Sequence, residues 1–177
     1  MKNILIISSS PRKNGNTQIL CEQFKKGAQE KGHNVNIIRI MDKNIGFCCA
    51  GRACMKNGGI CILKDDMSFI IELFQKTDTL VLATPVYFEG ISAQMKIFID
   101  RMYPIWQNFG KKDIYYIVSA ARGFNIIEKS IGDLDGFVEH FDNSKVVGRI
   151  YAANVMDAGL VKDQSVFDQA YNMGYSV

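Results

Sequence analysis

The sequence predicts a doubly wound α/β domain: a five-stranded parallel sheet in the order 2-1-3-4-5, with helices on both faces. Three observations lead there. Short apolar runs alternate with helix-length segments, the signature of βαβ units. Several of those runs are almost continuously apolar, as strands covered on both faces must be. No internal repeat, low-complexity linker or break in composition interrupts the 177 residues, so residues 1–177 are expected to form one domain, with residues 42–66 as a cysteine-containing loop insertion.

Five strands are expected: Asn3–Ser9, Asn34–Met41, Thr79–Thr84, Ile114–Ser119 and Lys145–Ala152. The second places Asn36 and Arg39 among its isoleucines, which suits a sheet edge. The first helix is expected over Gly15–Lys31, closed by Gly32 as a C-terminal cap. Asp66–Gln75 reads as the next. In Ser92–Met102, the residues Ile91, Met95, Phe98, Ile99 and Met102 share one helical face, and Pro104 ends the run. Further helices are expected near Ile126–Phe141 and Lys162–Met173.

Composition narrows the function. The net charge of +3 is small and no basic run reaches five residues, so nucleic acid is not an expected partner. The apolar stretch Ile4–Ile7 is too short for a signal segment or a membrane span. A cytoplasmic location with no membrane partner is therefore expected. Four of the five cysteines, Cys48, Cys49, Cys54 and Cys61, cluster in the insertion, which in a cytosolic protein suggests metal or redox chemistry more than disulfides. Cys21 reads as a small apolar residue of the first helix.

Ligands of doubly wound sheets bind at the carboxyl ends of the strands, where the strand order reverses. Three loops belong there. The loop after the first strand, Ser8 to Thr17, is rich in hydroxyls and amides and leads into a helix N-terminus, which favours an anion. Ser10, Asn16 and Thr17 can donate to phosphate oxygens, Arg12 can offer a charged fork, and Gly15 permits close approach. Neither a G-x-G-x-x-G nor a G-x-x-x-x-G-K-[ST] pattern occurs, so dinucleotide and triphosphate sites lack support. The loop suits a terminal phosphate monoester, as FMN carries; a solvated turn capping a helix is the competing reading.

The loop after the third strand, Thr84 to Gly90, offers Tyr87 and Phe88 to cover a flat ring, and main-chain N–H groups near Phe88–Gly90 to meet its polar edge. Aromatics that merely plug the sheet end explain it as well. After the fourth strand, Ser119, Ala120, Ala121, Arg122 and Gly123 leave room for a ligand wall, or form a plain turn. No Ser–His–Asp or Cys–His arrangement is visible, and neither His33 nor His140 sits in a metal or catalytic pattern.

These residues carry a resemblance. Ser10-Pro-Arg-Lys-Asn-Gly-Asn-Thr17 resembles the FMN-phosphate loop of the NADPH-dependent FMN reductase and iron–sulfur flavoprotein group. The run Thr84 to Arg101 resembles that group's isoalloxazine loop and following helix, and Cys61 to Met67 the end of its cysteine segment. The matches span roughly the first 100 residues. The resemblance implies a flavodoxin-like fold, noncovalent FMN, NAD(P)H as electron donor, and a homodimer or homotetramer with flavin near a subunit interface. It assigns the phosphate to Ser10, Arg12, Asn16 and Thr17, and the ring to Pro85, Val86, Tyr87, Phe88 and Gly90. The third loop falls on Ser119, Ala120, Ala121 and Gly123. Ser92, Lys96, Asp100 and Arg101 match the family helix and read as structural or interface residues.

The cysteines depart from the group's four-cysteine motif. Cys48, Cys54 and Cys61 keep its register, but Gly51 stands where the second cysteine belongs, and no C-x-x-C pair exists. A [4Fe–4S] cluster is not expected, because adjacent Cys48 and Cys49 serve one cluster or one zinc poorly. Asp65 or Asp66 is expected to begin a helix at its positive end. The reading that follows is an FMN-dependent NAD(P)H oxidoreductase delivering electrons to a small acceptor: a quinone, nitro compound, flavin or metal complex. Two alternatives stand beside it. One is an electron-transfer protein with protein partners; the other is a binder or sensor that has lost flavin.

Overall fold

A computed structural model describes residues 1–177. Strands β1 (Asn3–Ser8), β2 (Asn34–Arg39) and β3 (Thr79–Tyr87) are followed by a two-residue strand, β4 (Gly90–Ile91), then β5 (Asp113–Ser119) and β6 (Lys145–Ala152). The sheet order is β2-β1-β3-β5-β6, with β4 antiparallel on β3. Over the five parallel strands this is the expected 2-1-3-4-5 arrangement. β1 lies at the reversal, with Ile4 opposite Val35 on one side and Thr79 on the other.

Alternation along the strands separates two cores. Leu5, Ile7, Leu80, Leu82, Ile114 and Tyr116 face one side, while Ile4, Ile6, Val81, Ala83, Tyr115 and Ile117 face the other. Six α-helices flank the sheet or decorate it: α1 (Asn16–Glu30), α2 (Ala53–Lys56), α3 (Met67–Gln75), α4 (Ala93–Arg101), α5 (Phe124–Val138) and α6 (Val166–Tyr175). The first core is covered by α3, α4 and α5, the second by α1 and α6. Both faces of the central strands are thus dry, which is why those strands read as continuous apolar runs. β2 pairs only with β1, and its Asn36 is exposed as an edge residue should be. No helix is long and apolar enough to cross a membrane.

Local departures from the expected boundaries have physical causes. α1 stops at Glu30, and Gly32 follows in the left-handed region (φ +92°). α1 and α6 touch backbone to backbone. A Cβ on Gly27 would lie 2.1 Å from the Tyr171 carbonyl oxygen, and one on Gly174 2.0 Å from that of Phe24. α6 begins at Val166 rather than Lys162 because a 3-10 turn, Leu160–Asp163, comes first. β3 runs past Thr84 to Tyr87 and turns back into β4. Sequence reading missed this hairpin because Pro85 argues against a strand interior.

At the amino end of the sheet, Phe109 packs against Phe74, Phe137 and Phe141, with ring centroids 5.5, 5.4 and 4.4 Å away. Lys112 is buried among them. Its Nζ donates to the Thr77 carbonyl oxygen at 2.7 Å and lies 4.5 Å from the centre of the Phe74 ring. Burial lowers this amine from 10.5 to about 8, with Asp78 partly opposing. Between those values the unfolded chain binds more protons, so the Lys112 contribution to stability rises with pH and is level below about 8. The buried Cys21 thiol, pushed up to about 12, tilts the curve the other way above pH 9. Comparison with Lys112→Met isolates the lysine. The unfolding free energy of wild type minus that of the variant should climb by about 1–3 kcal/mol across the window; a flat difference in urea titrations would count against this burial.

Candidate functional site

The carboxyl ends of β1, β3 and β5 bring the three loops together. Ser10, Arg12, Gly15, Asn16, Thr17, Pro85, Val86, Tyr87, Ser119, Ala120 and Ala121 line one cleft of about 180 Å³. In the first loop the Ser10 hydroxyl accepts from the Arg12 N–H and donates to the Arg12 carbonyl oxygen, both at 3.3 Å. A Cβ on Gly15 would sit 2.9 Å from Ser10 Oγ and 3.0 Å from Arg12 Cβ, so glycine is required by the closeness of the turn. Gly15 also occupies the N-cap of α1, and no side chain caps that helix. Its first turn therefore has N–H groups with no side-chain cap beside the cleft, a ready anion site.

Further side chains of this loop are engaged with distant parts of the chain. Thr17 Oγ1 lies 2.7 Å from Ser119 Oγ, joining the first and third loops. Asn16 Nδ2 donates to the carbonyl oxygens of Val155 and Asp157 at 2.9 and 2.8 Å, and its Oδ1 accepts from the N–H of Gly159 at 2.9 Å. In this structure the Asn16 amide anchors the segment after β6, while its main-chain N–H belongs to the uncapped first turn of α1. Sequence reading missed that segment. Val155 and Met156 line the cleft, and Arg12 Nη1 donates to the Met156 carbonyl oxygen at 3.2 Å. Its one signal was the turn-rich run Asn154–Gly159 following a strand.

The second loop is the β3–β4 hairpin. Tyr87 pairs with Gly90, leaving Phe88 and Glu89 as a two-residue turn with φ of +49° and +65°. Such turns ordinarily use Asn or Gly, and each non-glycine residue there costs about 1–3 kcal/mol. The turn is braced by a Glu89–Lys129 ion pair from α5. Phe88 is fully exposed and is absent from the cleft wall, whereas Pro85, Val86 and Tyr87 belong to it. Beneath the hairpin lies a buried hydroxyl chain. Ser92 Oγ donates to Ser9 Oγ at 2.8 Å and accepts from the Met95 N–H at 3.3 Å, while the Ser92 N–H donates to Thr84 Oγ1 at 3.1 Å.

The third loop follows β5. The Ala120 N–H donates to the Ala152 carbonyl oxygen at 2.8 Å, and the Val155 N–H to that of Ala120 at 2.9 Å. Gly123 is the N-cap of α5 and stands outside the cleft wall.

A family model described as NADPH-dependent FMN reductase matches residues 2–134. The chain belongs to the NADPH-dependent FMN reductase family. An iron–sulfur flavoprotein of Archaeoglobus fulgidus is 38% identical over 98 residues, covering 55% of this chain and 44% of the relative. The chain thus spans about half the length of the relatives it matches. Among solved structures, an NAD(P)H:quinone oxidoreductase from Methanothermobacter marburgensis superposes with a TM-score of 0.77 at 15% identity, covering 99% of this chain and 95% of that one. An FMN-dependent NADH-azoreductase of Bacillus anthracis, solved with FMN, gives a TM-score of 0.71 at 14% identity, covering 98% of each. At these identities the likeness shows a shared fold.

The cysteine insertion of this FMN reductase family member lies apart from the cleft. Cys48, Cys49, Cys54 and Cys61 line a second cavity of about 490 Å³ with Ile62, Leu63 and Tyr103. As the side chains stand, no three of its thiols or carboxylates lie close enough together to hold a metal ion. The insertion is pinned by one buried guanidinium. Arg101, 2% exposed, donates to Asp65 Oδ2 at 2.6 Å, Asp65 Oδ1 at 3.0 Å, the Gly46 carbonyl oxygen at 2.7 Å and Cys61 Sγ at 3.7 Å. Burial pushes the Asp65 carboxyl up, but bonds from Arg101 and the N–H groups of Gly46 and Met67 outweigh it and hold the group below the usual carboxylate range. Asp65 Oδ1 thereby serves the first turn of α3.

Asp65→Asn leaves Arg101 buried without its counter-charge and should cost about 3–5 kcal/mol in urea unfolding. Asp65→Asn combined with Arg101→Met should cost less than Asp65→Asn alone. A depressed carboxyl contributes stability that is lost as pH falls through its folded-state value, so the gap between wild type and Asp65→Asn should narrow in acid.

Proposed function

We propose that this chain is an FMN-dependent NAD(P)H oxidoreductase that works in the cytoplasm and passes electrons to a small acceptor. The observation that carries the reading is the convergence, on one cleft, of an uncapped helix N-terminus behind a close glycine turn with a strained aromatic hairpin. A phosphate monoester fits the first feature: it takes the free N–H groups of α1 and the Arg12 charge, and Gly15 leaves room for it. A flat ring fits the second: Pro85, Val86 and Tyr87 form a wall whose outer side is open. The cleft alone is smaller than the roughly 300 Å³ of ordinary small-molecule sites, which agrees with a ring that extends beyond it toward the exposed hairpin tip.

Bound FMN supplies hydride acceptance from a nicotinamide and onward electron delivery; the chain supplies placement and access. Ser10 and Arg12 shape the phosphate turn. Thr17 and Ser119 join it to the third loop, so these two loops would hold a bound ligand as one connected unit. Ser9, Thr84 and Ser92 link the ends of β1 and β3 behind these loops. Phe88, exposed at the hairpin tip, would border the open side of a bound ring, where a nicotinamide and then a quinone, azo or nitro compound, a second flavin or a metal complex would stack in turn. In a homodimer or homotetramer a second copy would cover that tip.

Arg12→Ala should weaken FMN binding about 10–100-fold, the loss expected of a charge-assisted phosphate contact, while leaving riboflavin affinity unchanged. Equal losses for both ligands would remove the phosphate from this loop. Rapid oxidation of NADH or NADPH by the FMN-loaded protein, coupled to an artificial acceptor, is the expected activity. Slow oxidation of both, with fast electron exchange with a protein carrier, would favour an electron-transfer protein instead.

A further inference from the structure

The second cavity shares no lining residue with the cleft. Its volume of about 490 Å³ falls in the range of small-molecule sites, roughly 300–1,000 Å³. Four thiols stand on its wall, and all are free. Cys48 and Cys49 are exposed, whereas Cys54 and Cys61 are half-buried. Around the exposed pair the backbone is strained: Ala50 and Arg52 both adopt φ of +53°, and non-glycine residues held so cluster at functional sites. Cys61 differs from the others in having Arg101 Nη2 beside its sulfur. A half-buried thiol next to a guanidinium is the setting in which exchange-active cysteines are found.

The insertion also has the mechanics for closure. Arg101 fixes it at Gly46, Cys61 and Asp65. Between the first two anchors, the main chain of Phe47–Gly51 makes no hydrogen bond, so the exposed thiols ride on a segment that only its ends restrain.

We propose that this cavity is a thiol–disulfide exchange site for small disulfides, with an exposed thiol of the Cys48–Cys49 pair as the attacking group and Cys61 as the resolving one. In the first step a thiolate of the pair attacks RS–SR; the new bond joins the cysteine to SR, and RS⁻ leaves and takes up the proton the cysteine lost. In the second, the Cys61 sulfur attacks the protein sulfur of this mixed disulfide, expelling the second RS⁻, protonated in turn by the proton from Cys61. The small disulfide is reduced to two thiols, and two protein thiols are oxidised to one disulfide. Ile62 and Leu63 give the apolar wall for the R groups.

The test uses the full chain, with and without FMN, reduced, freed of reductant and then exposed to oxidised glutathione. Cys21 is an internal control, since it is buried and its thiol is pushed up to about 12. The native protein should show four reactive thiols before exposure, the five cysteines less Cys21, and two afterwards. Peptide mapping should find Cys61 joined to Cys48 or Cys49. Cys61→Ser should stop at a glutathione adduct on the pair, and Cys54→Ser should behave as wild type. A count that stays at four, a disulfide that omits Cys61, or about four irons per chain after air-free purification would each overturn the proposal. None of these readouts depends on flavin, so the site can fail while the cleft assignment stands.

Discussion

The Ser92 hydroxyl ties together the two strand ends between which the cleft opens. It donates to Ser9 just past β1 and caps α4 through the Met95 N–H, while its own N–H bonds Thr84 in β3. All three residues are fully buried, so each polar group must find a partner inside the protein. That requirement fixes the distance between β1 and β3 where their connections leave for opposite faces. The start of the β1–α1 loop and the base of the β3–β4 hairpin are both set by it.

The strain in the hairpin is held against this base. Phe88 and Glu89 occupy a turn that suits glycine, and the Glu89–Lys129 pair is exposed and therefore weak. The stronger restraint is the β3 strand itself, whose residues Thr79 to Pro85 are buried. A rigid strand ending in a strained, solvent-facing aromatic tip is an arrangement suited to presenting a ligand face. The cysteine insertion follows the same logic with a different fastener, a buried Arg101–Asp65 pair in place of hydroxyls.

Much of this was readable from the residues. Ile4–Ile7, Leu80–Ala83 and Ile114–Val118 announce strands covered on both faces, because only such strands dispense with polar alternation. Asn36 marks the edge, Ser92 its helix cap, and Gly15 a turn with no room for a side chain. What stayed hidden depended on long-range partners. Nothing local to Asn16 announces that its amide holds residues 155–159, more than 130 positions away. The β3–β4 hairpin hides behind Pro85, and Arg101 looks like a surface helix charge until the insertion folds over it.

The most direct measurement is the visible absorption spectrum of the purified protein, prepared without air and supplied with FMN, with bound flavin quantified per chain. A two-banded flavin spectrum at about one FMN per chain, lost when Gly15 is replaced by a residue with a bulky side chain, is the expected result. A protein that is folded and yet retains no flavin under these conditions contradicts the account.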